Sequence, residues 1–391
     1  MTRIFEQPAS GGGVRILIAG VGSYPQARRA VDSVPALPDI SSAAESAMSL
    51  ARLAISSWAE RFSKPLVSVD LLVNAPDTPT GSLFNHPRGE QIRVEAPTLT
   101  ALKAARTDWL AQTTRDDVVI FYCCGHGIWL PSRGRTFLAA DFGEDDEDPW
   151  TRAIWLDGFA LGLAEKPPRT QWLIFDCCAN TPTQAMLNLA TNPAALLSPQ
   201  IGGRGRTEAT HGTLSQVILA SATVGAQAFG RAGRPSRFAE ALIDACEISG
   251  YQTEYDGYWW IDPGSLDKSI GSFAQRVADP SDEPYYTFPR VITTDAADPP
   301  LLMKREQPSM CTVMVMSEPL SRLPRGELVI RCGEEIVAQQ SAGLWAHARF
   351  RHDLAPWRYY QFQLKVDESP VLVDKFAMPP FVKAIFPKEA T

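Results

Sequence analysis

Apolar runs of strand length alternate with amphipathic segments through roughly the first 248 residues. The runs are apolar at consecutive positions, as in strands buried on both faces of a parallel sheet. They are Val14–Val21, Leu66–Val73, Val118–Tyr122, Trp172–Phe175 and Ser215–Ala220, with a short candidate strand at Phe137–Ala140. Segments with helical spacing separate them: Ser42–Phe62, Leu99–Leu110, Leu156–Ala164 and Arg237–Ile248. The alternation predicts an α/β fold with a doubly wound, mainly parallel sheet.

The pattern changes from about Pro289 onward. Short runs of alternating apolar and polar residues follow one another, separated by prolines and glycines. They are Thr312–Met316, Glu327–Arg331, Ile336–Gln339, His347–Phe350, Tyr359–Val366 and Val371–Phe376. Such runs predict a small all-β sandwich. We therefore expect a loose leader over residues 1–13, an α/β domain over 14–288 that includes the aromatic-rich stretch 249–288, and a β-sandwich domain over 289–391.

Charge and cysteine content narrow the classes of partner and compartment. The 391 residues carry a formal net charge of −7 and no long basic tract, so no nucleic-acid partner is expected. No apolar stretch reaches the roughly 20 residues that span a bilayer, and the first residues lack the layout of a secretion signal. The seven cysteines include two adjacent pairs and lack CxxC spacing, which argues against disulfides and a metal site. A reducing cytoplasm is the expected location.

Two of the apolar runs lead to chemically reactive residues. Val118–Tyr122 is followed by His126 between two glycines, and Trp172–Phe175 is followed by Cys177 and Cys178. The chain between the runs has room for one crossover helix and one strand, so the two strands can be neighbours. Chemistry in doubly wound sheets lies beyond the carboxyl ends of the strands. Because an imidazole that takes a thiol proton creates a nucleophilic thiolate, the pattern predicts a cysteine peptidase with Cys178 or Cys177 as nucleophile.

The same two segments resemble the caspase/metacaspase superfamily. Residues 121–127, Phe-Tyr-Cys-Cys-Gly-His-Gly, are similar to its Ser-Gly-His-Gly segment. Residues 176–180, Asp-Cys-Cys-Ala-Asn, resemble the Asp-x-Cys segment of metacaspases and bacterial caspase-like peptidases. The resemblance covers about residues 14–248 and implies the caspase-hemoglobinase fold and peptide-bond hydrolysis. In the register of Asp-x-Cys, it implies Cys178 as the nucleophile and His126 as the general base and then acid.

The resemblance also assigns the surroundings of this pair. The main-chain N–H groups of Gly127 and Cys178 are expected to hold the oxyanion. Asp176 stands where metacaspases place a carboxylate for a basic P1 side chain, which implies cleavage after Arg or Lys. A structural carboxylate is the alternative role for Asp176. Where metacaspases usually have Asn-Asp-Ala, residues 45–47 read Glu-Ser-Ala, so Glu45 supplies the second charge only if it turns inward.

Two loops are candidates for regulation. The loop 179–212 follows the nucleophile, and caspase relatives often cut this connection during activation. Arg204 and Arg206 would suit self-cleavage, and a mobile surface loop is the alternative. The acidic run 144–148, Glu-Asp-Asp-Glu-Asp, is a candidate for the Ca2+ that activates some metacaspases. Because the run lacks the glycine and spacing of a Ca2+ loop, a solvated loop is favoured and no cofactor is predicted.

The predicted function is that of a cysteine endopeptidase, a caspase-like thiol protease of bacterial type that cleaves a partner protein. The resemblance alone implies a role in antiviral defence or regulated cell death, with a pore-forming effector as a candidate substrate and the β-sandwich as a recruitment domain. An inactive caspase-like binding module is the alternative, which the doubled cysteines and Ser46 permit. A cysteine hydrolase of another kind is a third candidate. The sequence gives no signal for the oligomeric state.

Overall fold

The computed structural model describes residues 3–8, 11–27, 37–131, 133–145, 148–179, 193–197, 214–222, 232–277, 292–293, 300–317, 323, 325–343, 352–366 and 369–387. The chain forms two compact units. The first holds Met1–Ile243 and Tyr286–Met303, and the second holds Asp244–Tyr285 and Lys304–Thr391. These bounds differ from the predicted ones, because most of the aromatic-rich stretch belongs with the C-terminal part.

Strands and helices are numbered here in chain order. The first eleven strands are β1 (Arg3–Glu6), β2 (Val14–Val21), β3 (Leu66–Asn74), β4 (Gly81–Asn85), β5 (Gln91–Glu95), β6 (Val118–Gly125), β7 (Gly127–Leu130), β8 (Gly134–Leu138), β9 (Ala153–Trp155), β10 (Thr170–Cys177) and β11 (Ser215–Ala220). The others are β12 (Thr253–Tyr255), β13 (Tyr258–Ile261), β14 (Ile292–Thr293), β15 (Met303–Arg305), β16 (Cys311–Ser317), β17 (Glu327–Cys332), β18 (Glu335–Gln340), β19 (Asp353–Leu354), β20 (Tyr359–Val366), β21 (Ser369–Phe376) and β22 (Phe381–Phe386). The α-helices are α1 (Ser41–Ala54), α2 (Leu99–Leu110), α3 (Leu156–Ala164), α4 (Arg237–Asp244) and α5 (Pro263–Val277).

A seven-stranded mixed sheet forms the centre of the first unit, in the order β1-β3-β2-β6-β10-β11-β14. The five inner strands are parallel, and β1 and β14 pair antiparallel at the two edges. Every residue of β3 and of β6 is buried, as expected for central strands covered on both faces. The predicted mainly parallel α/β sheet is therefore present, with antiparallel edges that the apolar pattern did not indicate.

The predicted leader contains strand β1 instead of only loose chain. Arg3 donates hydrogen bonds to both carboxylate oxygens of Asp70 in β3, at 3.1 and 3.2 Å. Ile4 is buried in the same strand. A bidentate pair between Arg3 and a nearly buried carboxylate fixes the position of a strand that has little apolar sequence of its own.

Helices cover both faces of this sheet. Alternate side chains of β2, Leu17 and Ala19 among them, share one core cluster with α2 and α3. The opposite face of β2 contacts α1. The predicted first helix was too long, because α1 ends at Ala54 and turns follow it. No helix in the described ranges is both long enough and apolar enough to cross a membrane.

The second unit consists mainly of short antiparallel strands. Two of its sheets have the orders β19-β16-β22 and β18-β17-β20-β21, and a third has the order β12-β13-β15. Residues from the first two sheets share one core, which includes Val313, Val315, Leu328, Phe362 and Ala384. Five of the predicted runs correspond to β16, β17, β18, β20 and β21, whereas His347–Phe350 lies outside the described residues. Strand β22, which pairs parallel with β16, was not predicted.

Candidate active site

The parallel pairing of β6 and β10 brings the two reactive segments to one edge of the sheet. Gly125 pairs with Cys177, and the next residues along each strand are His126 and Cys178. Cys177 is 4% exposed and belongs to the core cluster, whereas Cys178 lies just past the strand and is half-buried. Of the two adjacent cysteines, Cys178 is therefore the more exposed.

Gly127 is in direct contact with the cysteine segment. A Cβ atom at this position would lie 2.6 Å from the carbonyl oxygen of Cys178 and 2.9 Å from Sγ of Cys177. Such distances are far inside van der Waals contact, so only glycine permits this approach. The two residues expected to supply oxyanion-hole N–H groups, Gly127 and Cys178, are thus brought together.

His126 is oriented by a main-chain carbonyl. Its Nε2 lies 2.9 Å from the carbonyl oxygen of Pro38. A carbonyl can only accept, so Nε2 carries the proton and Nδ1 of the neutral ring is left as the proton acceptor. Burial lowers the pKa of His126, and the bond to Pro38 acts in the opposite direction. The ring is therefore uncharged at neutral pH and able to act as a base.

Tyr24 supports His126 from the neighbouring strand. It follows the end of β2, and its hydroxyl oxygen accepts a hydrogen bond of 2.7 Å from the main-chain N–H of His126. The sequence analysis did not select Tyr24 or Pro38. The position of Tyr24 just beyond an apolar strand was a usable signal, whereas a main-chain carbonyl such as that of Pro38 has no sequence signature.

Asp176 is buried beneath the same edge, 2% exposed. Its Oδ2 accepts hydrogen bonds from the hydroxyls of Tyr122, at 2.8 Å, and of Ser236. Within the part of the chain that the structure describes, Oδ1 has no hydrogen-bond partner. Burial raises the pKa of Asp176, and the hydroxyls of Ser236 and Tyr122 oppose that shift. Weaker contributions from Cys124 and Ser221 act in the same direction as those hydroxyls. A buried carboxylate can pair with a cationic group that reaches it.

Ser46, not Glu45, faces the site from α1. Ser46 is fully buried, and its Oγ accepts a hydrogen bond of 2.8 Å from the main-chain N–H of Ser236. Glu45 is exposed to solvent, so it does not provide the second carboxylate that was expected if it turned inward. Successive helical residues point about 100° apart, so the burial of Ser46 and Ala47 turns Glu45 outward.

The two loops predicted to have regulatory roles are described only in part. Arg204 and Arg206 lie outside the described residues, as do two members of the acidic run 144–148. Glu144 forms an ion pair of 3.0 Å with Arg152, and Asp148 accepts a hydrogen bond from the main-chain N–H of Trp150. Among the described residues, no group of three or more His, Cys, Asp or Glu side chains has the arrangement of a metal site.

Comparison with known proteins gives one family match and one relative. The Caspase domain model of the Peptidase_C14 family matches residues 81–257, a range that contains both His126 and Cys178. A relative from Sinorhizobium fredii, strain NBRC 101917 / NGR234, named uncharacterized protein y4kE, is 30% identical over 216 residues. That alignment covers 54% of this chain and 58% of the relative, so the chain spans less than two thirds of its length.

A solved structure resembles the chain more distantly. The crystal structure of protein GSU0716 from Geobacter sulfurreducens is 14% identical in sequence, with a TM-score of 0.42. The similarity covers 73% of this chain and 95% of that one.

Proposed function

We propose that this chain, which carries a caspase-like domain of the Peptidase_C14 family, is a cysteine endopeptidase with Cys178 as nucleophile and His126 as general base. One observation carries the proposal. Strands β6 and β10 pair in parallel up to Gly125 and Cys177, so the residues that follow them, His126 and Cys178, lie at the same carboxyl edge of the sheet, and the contact with Pro38 favours the tautomer in which Nδ1 is basic.

The proposed reaction follows from these groups. Nδ1 of His126 takes the thiol proton of Cys178, and the thiolate attacks the scissile carbonyl carbon. Main-chain N–H groups of Gly127 and Cys178 stabilise the oxyanion of the tetrahedral intermediate. The imidazolium then protonates the leaving amine, which leaves an acyl-enzyme on Cys178. Water, deprotonated by His126, hydrolyses the thioester and restores the free thiol.

A peptide library tests the nucleophile. The full chain is expected to cleave library peptides, Cys178→Ala and His126→Ala are expected to lose cleavage, and Cys177→Ala is the matched control. Because Cys177 is buried in the core, its loss removes one sulfur without removing the reactive thiol. Iodoacetamide at neutral pH, read out by mass spectrometry, should label Cys178 first in the wild type and much more slowly in His126→Ala.

The result that contradicts a peptidase is equally definite. A wild-type chain that cleaves no peptide under any activating condition and shows no preferred thiol would favour the alternative, an inactive caspase-like binding module. Loss of cleavage in Cys177→Ala with full activity in Cys178→Ala would instead move the nucleophile by one residue.

The proposal extends to cleavage after Arg or Lys, with Asp176 as the recognition group. The support is its buried carboxylate, whose Oδ1 has no partner in the described part of the chain. Asp176→Asn keeps the shape and the acceptor for Tyr122 but removes the charge. We expect this variant to lose cleavage after Arg while Cys178 still reacts with iodoacetamide. Preferred cleavage after Asp or Glu by the wild type would contradict the assignment.

The cellular role is proposed from the resemblance: cleavage of a partner protein in bacterial defence or regulated cell death, with a pore-forming effector as a candidate. The two larger sheets of the second unit, which share one core, are proposed to form the β-sandwich that recruits this partner. Mass spectrometry of new protein N-termini in cells with wild-type chain or Cys178→Ala tests the role. Identical sets of N-termini during phage challenge would exclude it.

A further inference from the structure

The side chain of Tyr24 contacts His126 in two ways. Its hydroxyl oxygen accepts the main-chain N–H of His126 at 2.7 Å. Its ring packs against the imidazole, with ring centroids 4.9 Å apart and planes tilted by 45°. Tyr24 itself is fully buried, and His126 is half-buried beside it. A single side chain therefore restrains both the backbone and the ring of the proposed base.

The residues around Tyr24 keep its hydroxyl in this position. Gly125 leaves the space, since a Cβ atom there would lie 2.7 Å from the Tyr24 hydroxyl oxygen and 3.0 Å from the ring of Phe137. On the other side, the main-chain N–H of Tyr24 donates to Asp39 at 3.3 Å. Asp39 directly follows Pro38, whose carbonyl holds Nε2 of His126. The two anchors of His126 are thus linked to one another.

The Tyr24 phenol also interacts electrostatically with the cysteine segment. Burial raises the pKa of Tyr24 well above its usual value, and the charges of Cys124, Cys177 and Cys178 contribute to the shift. The phenol therefore stays protonated and neutral throughout the range in which a cysteine peptidase works. Its O–H group is a fixed dipole next to the place where thiolate and imidazolium charges form.

We propose that Tyr24 is a positioning residue that holds His126 so that Nδ1 meets the thiol of Cys178. The inference rests on the proposed peptidase function and goes beyond it, because Tyr24 itself neither gives nor takes the proton. Without its hydroxyl the imidazole would move relative to the sulfur. Proton transfer is sensitive to such movement, so the thiolate would form less readily while substrate would bind as before.

Tyr24→Phe tests this by removing one oxygen and keeping the ring. We expect kcat to fall about tenfold with KM unchanged, and the midpoint pH for alkylation of Cys178 to rise by about one unit. Tyr251→Phe is the matched control. Tyr251 is also fully buried, and its hydroxyl donates at 2.7 Å to the carbonyl of Cys246 in the second unit. This control should lose similar stability and leave both kcat and the alkylation midpoint at wild-type values.

The outcomes separate the inference from the function on which it rests. A folded Tyr24→Phe with wild-type kcat and wild-type alkylation midpoint overturns the inference and leaves the peptidase intact. A wild type with neither cleavage nor selective alkylation overturns both, because no catalytic histidine would need positioning. If Tyr24→Phe does not fold, hydrogen exchange of the His126 amide in the wild type tests the inference instead. The bond requires slow exchange at His126, and exchange as fast as that of an exposed amide overturns the inference.

Discussion

His126 combines a basic nitrogen with an environment that keeps it uncharged. The ring donates through Nε2 to Pro38, and burial lowers the pKa of the imidazole. In the proposed mechanism only the neutral ring can accept the Cys178 proton, so acidification through this lowered pKa removes the base. We expect kcat/KM to rise with pH with a midpoint below the ordinary histidine value of about 6.5.

A pH profile of peptide cleavage measures that midpoint, with thermal melting at each pH as the control for folding. The direction of the pKa shift of His126 determines which way the acid limb of the profile moves. A group with a lowered pKa stays deprotonated to more acidic pH, so activity persists below pH 6.5 and is lost as the pH falls further. An acid limb centred above about 6.5 would show that His126 does not limit the reaction as proposed.

Gly127 is the subject of a second prediction about a single residue. Its missing Cβ leaves room for the carbonyl oxygen of Cys178, which would otherwise be 2.6 Å away. Gly127→Ala must push the nucleophile segment aside, and a displacement near 1 Å costs about 100-fold in kcat. Gly271→Ala is the matched control, because the added methyl group has no atom within 4 Å there. Equal activity of both variants would show that Gly127 does not adjoin the reacting groups.

The residues proposed to bear the chemistry can be selected from the sequence, whereas the groups that contact them cannot. His126 and Cys178 are distinctive residue types that follow apolar strands, so pattern and chemistry coincide in the sequence. Pro38 acts through a main-chain carbonyl, which every residue has. Glu45 and Ser46 are adjacent in a helix, so their side chains point about 100° apart. Which of the two faces the sheet depends on the rotation of the helix about its axis, and the sequence does not define that rotation to within one residue.

At the scale of elements, the pattern of apolar runs predicted most of the strands of the central sheet. Short runs that are apolar at every position, such as Val118–Tyr122, are typical of strands covered on both faces of a sheet, and β6 does lie at the centre of this one. The ends of helices were harder to predict than the strands. Trp58 fits the helical spacing of α1, yet it is buried in the turns that follow that helix. The edge strand β1 is stabilised by the distant carboxylate of Asp70, a contact that local sequence does not contain.

The acidic loop before β9 is where a calcium requirement would originate. In the described part of this loop the carboxylates already have partners: Glu144 pairs with Arg152, and Asp145 accepts a hydrogen bond from the main-chain N–H of Asp148. A Ca2+ site needs six or more free oxygen ligands. We expect EDTA to change the cleavage rate by less than about twofold, and added Ca2+ to have no larger effect. Loss of activity in EDTA that Ca2+ but not Mg2+ restores would contradict this.

At the scale of the whole molecule, the two compact units divide the chain differently from the predicted domains. Residues 244–285 contain aromatic runs that suit either core, so the sequence did not reveal which one they join. The main-chain N–H of Tyr251 donates to Oγ of Ser309, and the main-chain N–H of Ser309 donates to the carbonyl oxygen of Tyr251, both at 2.9 Å. These contacts connect the stretch to the C-terminal part of the second unit across about 58 intervening positions.

The division of the chain into two units can be tested with two truncated chains. A chain of residues 1–288 loses β14, which pairs with β11, and Met303, which pairs with Phe62. A chain of residues 1–303 keeps both pairings and therefore all of the first unit. We expect 1–288 to melt roughly 10 °C below 1–303, since losing an edge strand and a buried Met costs several kcal/mol.

Both truncated chains should bind more of a hydrophobic dye than the full chain, because residues 244–285 have lost Ser309 and their other partners in the second unit. Calorimetry and dye fluorescence on the three chains therefore report separately on the two units. If 1–288 melted cooperatively at the temperature of 1–303 and bound no extra dye, the boundary near Pro289 would be the physical one. The aromatic stretch would then belong with the seven-stranded sheet.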